Sequence, residues 1–247
     1  MKKSMILTVL CLCFTNVINA QERCQYKESD IDNDPAGEIT ILRSTGQPVG
    51  GIVCYYHENG KLEREAPYKD GKMEGISMSY YENGTLNLEI PYKDGRKDGI
   101  QKRYNEDGEL RLETPYKYGK MEGIVRTHSD NGELSWETPY KDGKVEGIEK
   151  WYENGKLIEE IPFKNEKREG LGRVYSKDGK LKMEISYKNG RMEGYARIYT
   201  ETGQLLGRIL YNNDRPVSGV CENGKPVTVA ELMNRQNGYE VLCEVQK

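Results

Sequence analysis

Phenylalanine and tryptophan are nearly missing from this chain, with two of each among 247 residues. Leu, Ile, Val and Phe together reach 49 residues, about a fifth of the chain, the level near which sequences bury too little apolar surface to fold. Histidine is equally scarce, at two. An excess of one charge is also lacking, since 37 Lys and Arg face 40 Asp and Glu for a net charge of −3. That balance excludes the basic face nucleic-acid binding needs, and it removes the self-repulsion typical of disordered chains. Long apolar runs are absent after the first twenty residues, and the mean hydropathy is −0.83, which argues against helical membrane spans. What the chain has instead is 18 tyrosines and 27 glycines: amphipathic rings and many turns.

The first twenty residues read as an address. Lys2 and Lys3 precede an apolar stretch from Met5 to Phe14, and Ile18-Asn19-Ala20 offers a small residue for cleavage. The stretch is too short for a spanning helix and reads as a secretory signal, residues 1–20, removed near Ala20. Cys11 and Cys13 leave with it. The exported remainder keeps Cys24, Cys54, Cys221 and Cys243. Four cysteines in such a chain read as two disulfides among three connectivities. Their clustering at the two ends favours Cys24–Cys54 with Cys221–Cys243. The rival, a metal site, lacks a C-x-x-C or a histidine pair.

Between these clusters one sentence recurs. Gly51, Gly75, Gly99, Gly123, Gly147, Gly170 and Gly194 stand 24, 24, 24, 24, 23 and 24 residues apart. A second glycine follows in each unit, at Gly60, Gly84, Gly108, Gly132, Gly155, Gly179 and Gly203, and a leucine stands two residues after it. Next come an acid (Glu65, Glu89, Glu113, Glu137, Glu160, Glu184) and, three residues on, an aromatic (Tyr68, Tyr92, Tyr116, Tyr140, Phe163, Tyr187, Tyr211). Two glycine turns per unit leave no room for helices. Each unit therefore reads as two antiparallel strands. Asn83-Gly84 is predicted to close a two-residue hairpin with two positive φ values, and Asp94-Gly95 to lead into the next unit. Stacking advances roughly 10 Å per unit, which predicts an all-β, elongated, single-layer antiparallel sheet. Columns of aromatics then stand in for a conventional interior. Tyr56, Tyr80, Tyr104, His128, Tyr175 and Tyr199 form one further column; in the shortened fifth unit, Trp151 or Tyr152 fills that place.

The expected organisation is a signal (1–20), an N-terminal loop or linker (21–36), the hairpin array (37–220) and a C-terminal cap (221–247). Gly37 to Gly46 reads as a half unit, and the acidic stretch Glu28 to Asp34 as loop. In the cap, Thr228 is expected to cap a short helix over Val229–Arg235 that stops at Gly238, and Tyr239 to Val245 to form a last strand.

The run from Tyr80-Tyr-Glu-Asn-Gly84 through Pro91-Tyr-Lys-Asp-Gly-Arg-Lys-Asp-Gly99 resembles the MORN repeat variant, over about residues 37–224. Departures are Glu166 at an expected turn glycine, His128 for tyrosine, and the irregular Asn212 to Pro216. The resemblance implies an open hairpin array used in binding and scaffolding, in a family linked to membrane association and protein assemblies. Bacterial relatives are often labelled antitoxins of the YwqK type.

Chemistry is sparse. His57 and His128 occupy aromatic positions of the repeat. No G-x-S-x-G elbow, phosphate loop or H-E-x-x-H occurs. The glutamate column could supply paired carboxylates, yet a catalytic pair needs two different environments, and a ladder makes every member alike. A hydroxyl or a lysine such as Lys69 or Lys93 would balance each charge, so these acids read as structural. Asn83-Gly84-Thr85 matches a glycan acceptor but reads as turn chemistry. Trp136 and Trp151, which break their columns, and Tyr80, Tyr104, Tyr175 and Tyr199 are the candidate contact residues. The expected function is non-enzymatic and cofactor-free: an exported protein, periplasmic, envelope-bound or extracellular, that binds a protein partner as scaffold or antitoxin-like neutraliser. The alternative is a glycan or lipid-headgroup binder, while no nucleic-acid partner is expected. The oligomeric state is left open.

Overall fold

The computed structural model describes residues 23–233 together with Cys243. A single 22-stranded sheet dominates it. From Gly51 onward the chain meanders through antiparallel neighbours. Strands such as Leu62–Lys69, Leu86–Lys93 and Leu110–Lys117 alternate with Gly51–Tyr56, Gly75–Tyr80 and Gly99–Tyr104. Pairing is regular from unit to unit: Gly75 faces Tyr92, Gly99 faces Tyr116 and Gly123 faces Tyr140. The predicted elongated hairpin array is therefore the observed fold.

The turn at Asn83-Gly84 differs from the expected two-residue hairpin. At Asn83-Gly84 the Tyr81 N–H donates to the Thr85 carbonyl at 2.9 Å and the Gly84 N–H to the Tyr81 carbonyl at 2.8 Å. Three residues lie in that loop, and only Gly84 is left-handed (φ +94°). The Asn83 side chain accepts the Thr85 N–H at 2.8 Å, so asparagine serves here as a side-chain acceptor in a turn closed by an αL glycine. The paired positive φ values fall at Asp94 (φ 49°) and Gly95 (φ 76°), between the paired residues Lys93 and Arg96. The fifth unit clarifies its missing residue. There Glu153 pairs with Lys156, and Asn154 and Gly155 are both left-handed, at φ 51° and 71°. Deleting one residue turns the three-residue loop into the two-residue hairpin expected throughout.

The proline carried by five of the units, Pro67, Pro91, Pro115, Pro139 and Pro162, is tolerated by a local bulge. Pro67 has no N–H to give a neighbour, and its carbonyl accepts the Glu74 N–H at 3.0 Å. The following glycine lies close above the preceding proline. At Gly99 (φ +123°) an added Cβ would stand 2.7 Å from Pro91 Cγ.

Buried apolar residues concentrate at the two ends, with Ile161 and Tyr187 buried between them. Val49, Val53, Cys54 and Ala66 are fully buried at one end, where Cys24–Cys54 is bonded. Ile198, Ile209, Cys221, Val227 and Leu232 form the cluster at the other, stapled by Cys221–Cys243. Both disulfides are the expected pairs. The stretch read as linker is structured. Tyr26–Lys27 adds a parallel strand beside Gly51–Tyr56, Glu28–Asp30 is a 3-10 turn, and Ile31–Asn33 pairs with Thr40–Leu42 in a separate two-stranded sheet. The half unit at Gly37–Gly46 thus lies outside the main sheet, tied to it by the Thr40 N–H donating to the Gly71 carbonyl at 2.8 Å. Alternation alone could not reveal this, because three-residue strands carry too little pattern. At the far end Val229–Met233 is a helix, and Thr228 and Glu231 cap one another reciprocally. The signal at 1–20, the helix residues beyond Met233 and Gly238 lie outside the described residues. So does the expected strand over 239–245, except Cys243, which has helical rather than extended conformation.

Candidate binding surfaces of the sheet

Alternation along the strands sorts side chains onto two faces. On the first, five of the six glutamates of the main column meet a tyrosine fifteen residues later. Tyr80 Oη donates to Glu65 at 2.8 Å, Tyr104 to Glu89 at 3.0 Å, Tyr152 to Glu137 at 2.9 Å, Tyr175 to Glu160 at 2.9 Å and Tyr199 to Glu184 at 2.8 Å. Tyr152, not Trp151, thereby fills the fifth place. Burial, then the bond to the acceptor carboxylate, pushes the Tyr80, Tyr104 and Tyr152 hydroxyls up to about 12. His128 is the exception, with Nε2 3.8 Å from Glu113 Oε2. That is too long for a hydrogen bond, and the nitrogen is buried without another partner. His57 instead reaches the Tyr80 carbonyl at 3.0 Å, as Tyr81 reaches that of Tyr104 at 2.7 Å.

Basic residues separate the acids. Lys102 stands between Glu89 and Glu113, and Arg126 between Glu113 and Glu137. Arg173 likewise stands between Glu160 and Glu184. Arg126 approaches Glu137 at 3.1 Å and Arg173 approaches Glu184 at 3.5 Å. Lys69 and Lys93, the expected counterions, stand exposed at the strand ends. The balancing cations come from the directly opposed strand, a register that only pairing reveals. At the N-terminal end Arg23 reaches the buried Glu65 at 3.1 Å.

A second acid ladder went unread in the sequence. Glu74, Asp98, Glu122, Glu146, Glu169 and Glu193 accept the backbone N–H of Asp94, Tyr118, Asp142, Asn165, Asn189 and Asn213, at 2.7–3.1 Å. Each holds the next unit's tight turn. The signal was an acid immediately before the first glycine of every unit after the first, where Gly50 precedes Gly51.

These bonds decide where the contact candidates stand. Tyr80, Tyr104, Tyr175 and Tyr199 are half-buried with their hydroxyls engaged inside the ladder. The Tyr68, Tyr92, Tyr116, Tyr140, Phe163, Tyr187 and Tyr211 column belongs to the opposite face, where Tyr187 is buried against Gly172 and Lys97 lies 4.8 Å over Tyr116. Two apolar features remain uncovered. Beside the glutamate ladder, Ile76, Ile100, Ile124 and Ile148 are 54, 50, 40 and 49% exposed. Each is opposed by a proline: Pro91, Pro115, Pro139 and Pro162. On the other face Trp136 and Trp151 pair directly and stack at 5.4 Å with a 10° interplanar angle, at 37 and 38% exposure. Among the described residues, no group of three or more His, Cys, Asp or Glu is placed to hold a metal ion, and no helix is long and apolar enough to cross a membrane.

No curated protein matches the chain. The family profile described as MORN repeat variant matches six times, at residues 50–70, 73–94, 97–118, 145–165, 168–189 and 192–213. The interval left unmatched contains His128 and Trp136, yet it folds with the same strands, Gly123–His128 and Leu134–Lys141, as its neighbours. On the repeats and the hairpin array together, the chain belongs to the MORN repeat variant family.

Proposed function

We propose that this chain is an exported, non-enzymatic repeat protein that binds a protein partner through its isoleucine-bearing face. The exposed Ile76, Ile100, Ile124 and Ile148 stripe carries this reading. Large contiguous apolar surface is uncommon on a monomer and marks interaction sites. The charges beside the stripe are balanced within the sheet, so the complementary surface is an elongated apolar ridge. The two disulfides are compatible with an oxidising location outside the cytoplasm. The glutamates support a structural rather than catalytic role, because one repeated environment gives no division into acid and base.

The test uses residues 21–247 as bait in an envelope extract, with cross-linking, beside a variant carrying I76S, I100S, I124S and I148S. The wild type should retain a stoichiometric protein partner that the variant loses while keeping its β circular dichroism and melting temperature. No partner, or equal capture by both, overturns the proposal. Binding on a glycan array or in liposome flotation, with no protein captured, would move the assignment to the glycan or lipid-headgroup alternative.

A further inference from the structure

We infer that Trp136, Trp151, Glu149 and Glu159 form a receptor for a cationic side chain, a lysine or arginine carried by a polypeptide, on the face opposite the isoleucine stripe. The register builds the patch. Trp136 opposes Trp151, and Trp151 opposes Glu159. One row along, Thr138 donates to Glu149 Oε2 at 3.1 Å, and Glu149 opposes Ile161. Opposed side chains on one face have Cβ atoms about 4.5–5.5 Å apart, so both carboxylates lie within one residue's breadth of the indoles.

The repeat supplies an internal comparison. At the positions equivalent to Trp136 and Glu159 the other units carry Arg64, Leu88, Leu112, Met183 and Gly207. At those equivalent to Glu149 they carry Val53, Ser77, Gln101, Val125, Gly172 and Ala196. The sheet closes without a carboxylate or an indole at any of these places, yet two of each converge on neighbouring strands. Burial raises the Glu159 carboxyl above the ordinary carboxylate range; Arg168 partly opposes this and Glu149 adds to it. With Arg168 offsetting one of the two acids, a net negative charge remains beside the aromatic pair.

That combination selects a cation. A neutral saccharide would stack on indole and could donate hydroxyls to the carboxylates, but would leave their net negative charge unneutralised. A lysine or arginine meets both the ring faces and the acids. The platform is open, and an exposed cation–π contact contributes only about 0.5–1 kcal/mol. A free small cation would not be held, whereas a side chain tethered to a longer contacting segment would be.

Trp136 and Trp151 are the chain's only tryptophans, so indole emission reports this patch alone. Residues 21–247 are titrated with a short glycine-spaced peptide containing two arginines, its citrulline analogue and its glutamate analogue. The arginine peptide should shift or quench emission saturably, and added salt should weaken it. The analogues should have no effect. E149Q/E159Q, which keeps both indoles, should weaken the arginine peptide about two- to fivefold, the loss of its exposed ion pairing. Silence toward the arginine peptide, an equal response to the citrulline form, or unchanged binding in E149Q/E159Q overturns the inference. The isoleucine-to-serine variant should titrate as wild type, so failure of either proposal is read independently of the other.

Discussion

Converting His128 to tyrosine should repair a gap in the tyrosine–glutamate ladder. Five rungs carry a hydroxyl-to-carboxylate bond of 2.8–3.0 Å. At the sixth, His128 Nε2 stops 3.8 Å from Glu113 and is buried without a partner. A tyrosine places its hydroxyl about one ring-width further and meets the carboxylate as its neighbours do. Hydrogen bonds to charged groups contribute about 1.5–3 kcal/mol when formed in place of an unsatisfied pair. Partial solvent access to both side chains reduces this to about 1 kcal/mol. For a chain of this length that corresponds to roughly 2–4 °C in melting temperature. Because a repeat array responds locally, amide exchange should slow across residues 121–142 more than at either end. H128Y in an E113Q background should lose most of the gain, since the neutral amide is the weaker acceptor. A neutral or destabilising H128Y, or an equal gain with E113Q, would show that the ladder is not held by these bonds.

Alkaline titration should unfold the array before its tyrosines ionise normally. The unfolded hydroxyl titrates near 10 and the folded Tyr80, Tyr104 and Tyr152 at about 12. The unfolded state therefore releases protons first and stability falls as pH rises through that window. Absorbance of tyrosinate at 295 nm read against circular dichroism checks this, and ionisation at pH 10 with structure retained would refute it. Glu166 holds a left-handed φ of 63° where five other units carry glycine and the last carries Asp214; E166G should stabilise by about 1 kcal/mol in chemical denaturation. G99A should destabilise by at least about 1–3 kcal/mol, because its Cβ meets Pro91 at 2.7 Å in a backbone region that favours glycine. Reducing Cys24–Cys54 or Cys221–Cys243, which close separations of 30 and 22 residues, should cost roughly 3–4 kcal/mol each, visible as faster exchange at the corresponding end.

The period of 24 determined most of the fold by itself. A glycine turn at fixed intervals can only be satisfied by strands of fixed length, and hydrophobic alternation with period two orients them. The end staples were legible for the same reason: the cysteines flank the regular region. Turn geometry was not, because Asn-Gly serves a three-residue loop as readily as a two-residue hairpin, and loop length depends on which residues pair across it. Cross-strand partners also lay beyond reach. Lys102 and Arg126 stand between glutamates only once register is set, and Glu149 and Glu159 join the tryptophans only because three strands lie side by side. Local pattern fixes what each residue does to its own backbone, whereas contact between distant residues is settled when hydrogen-bonded ladders bring the strands into register.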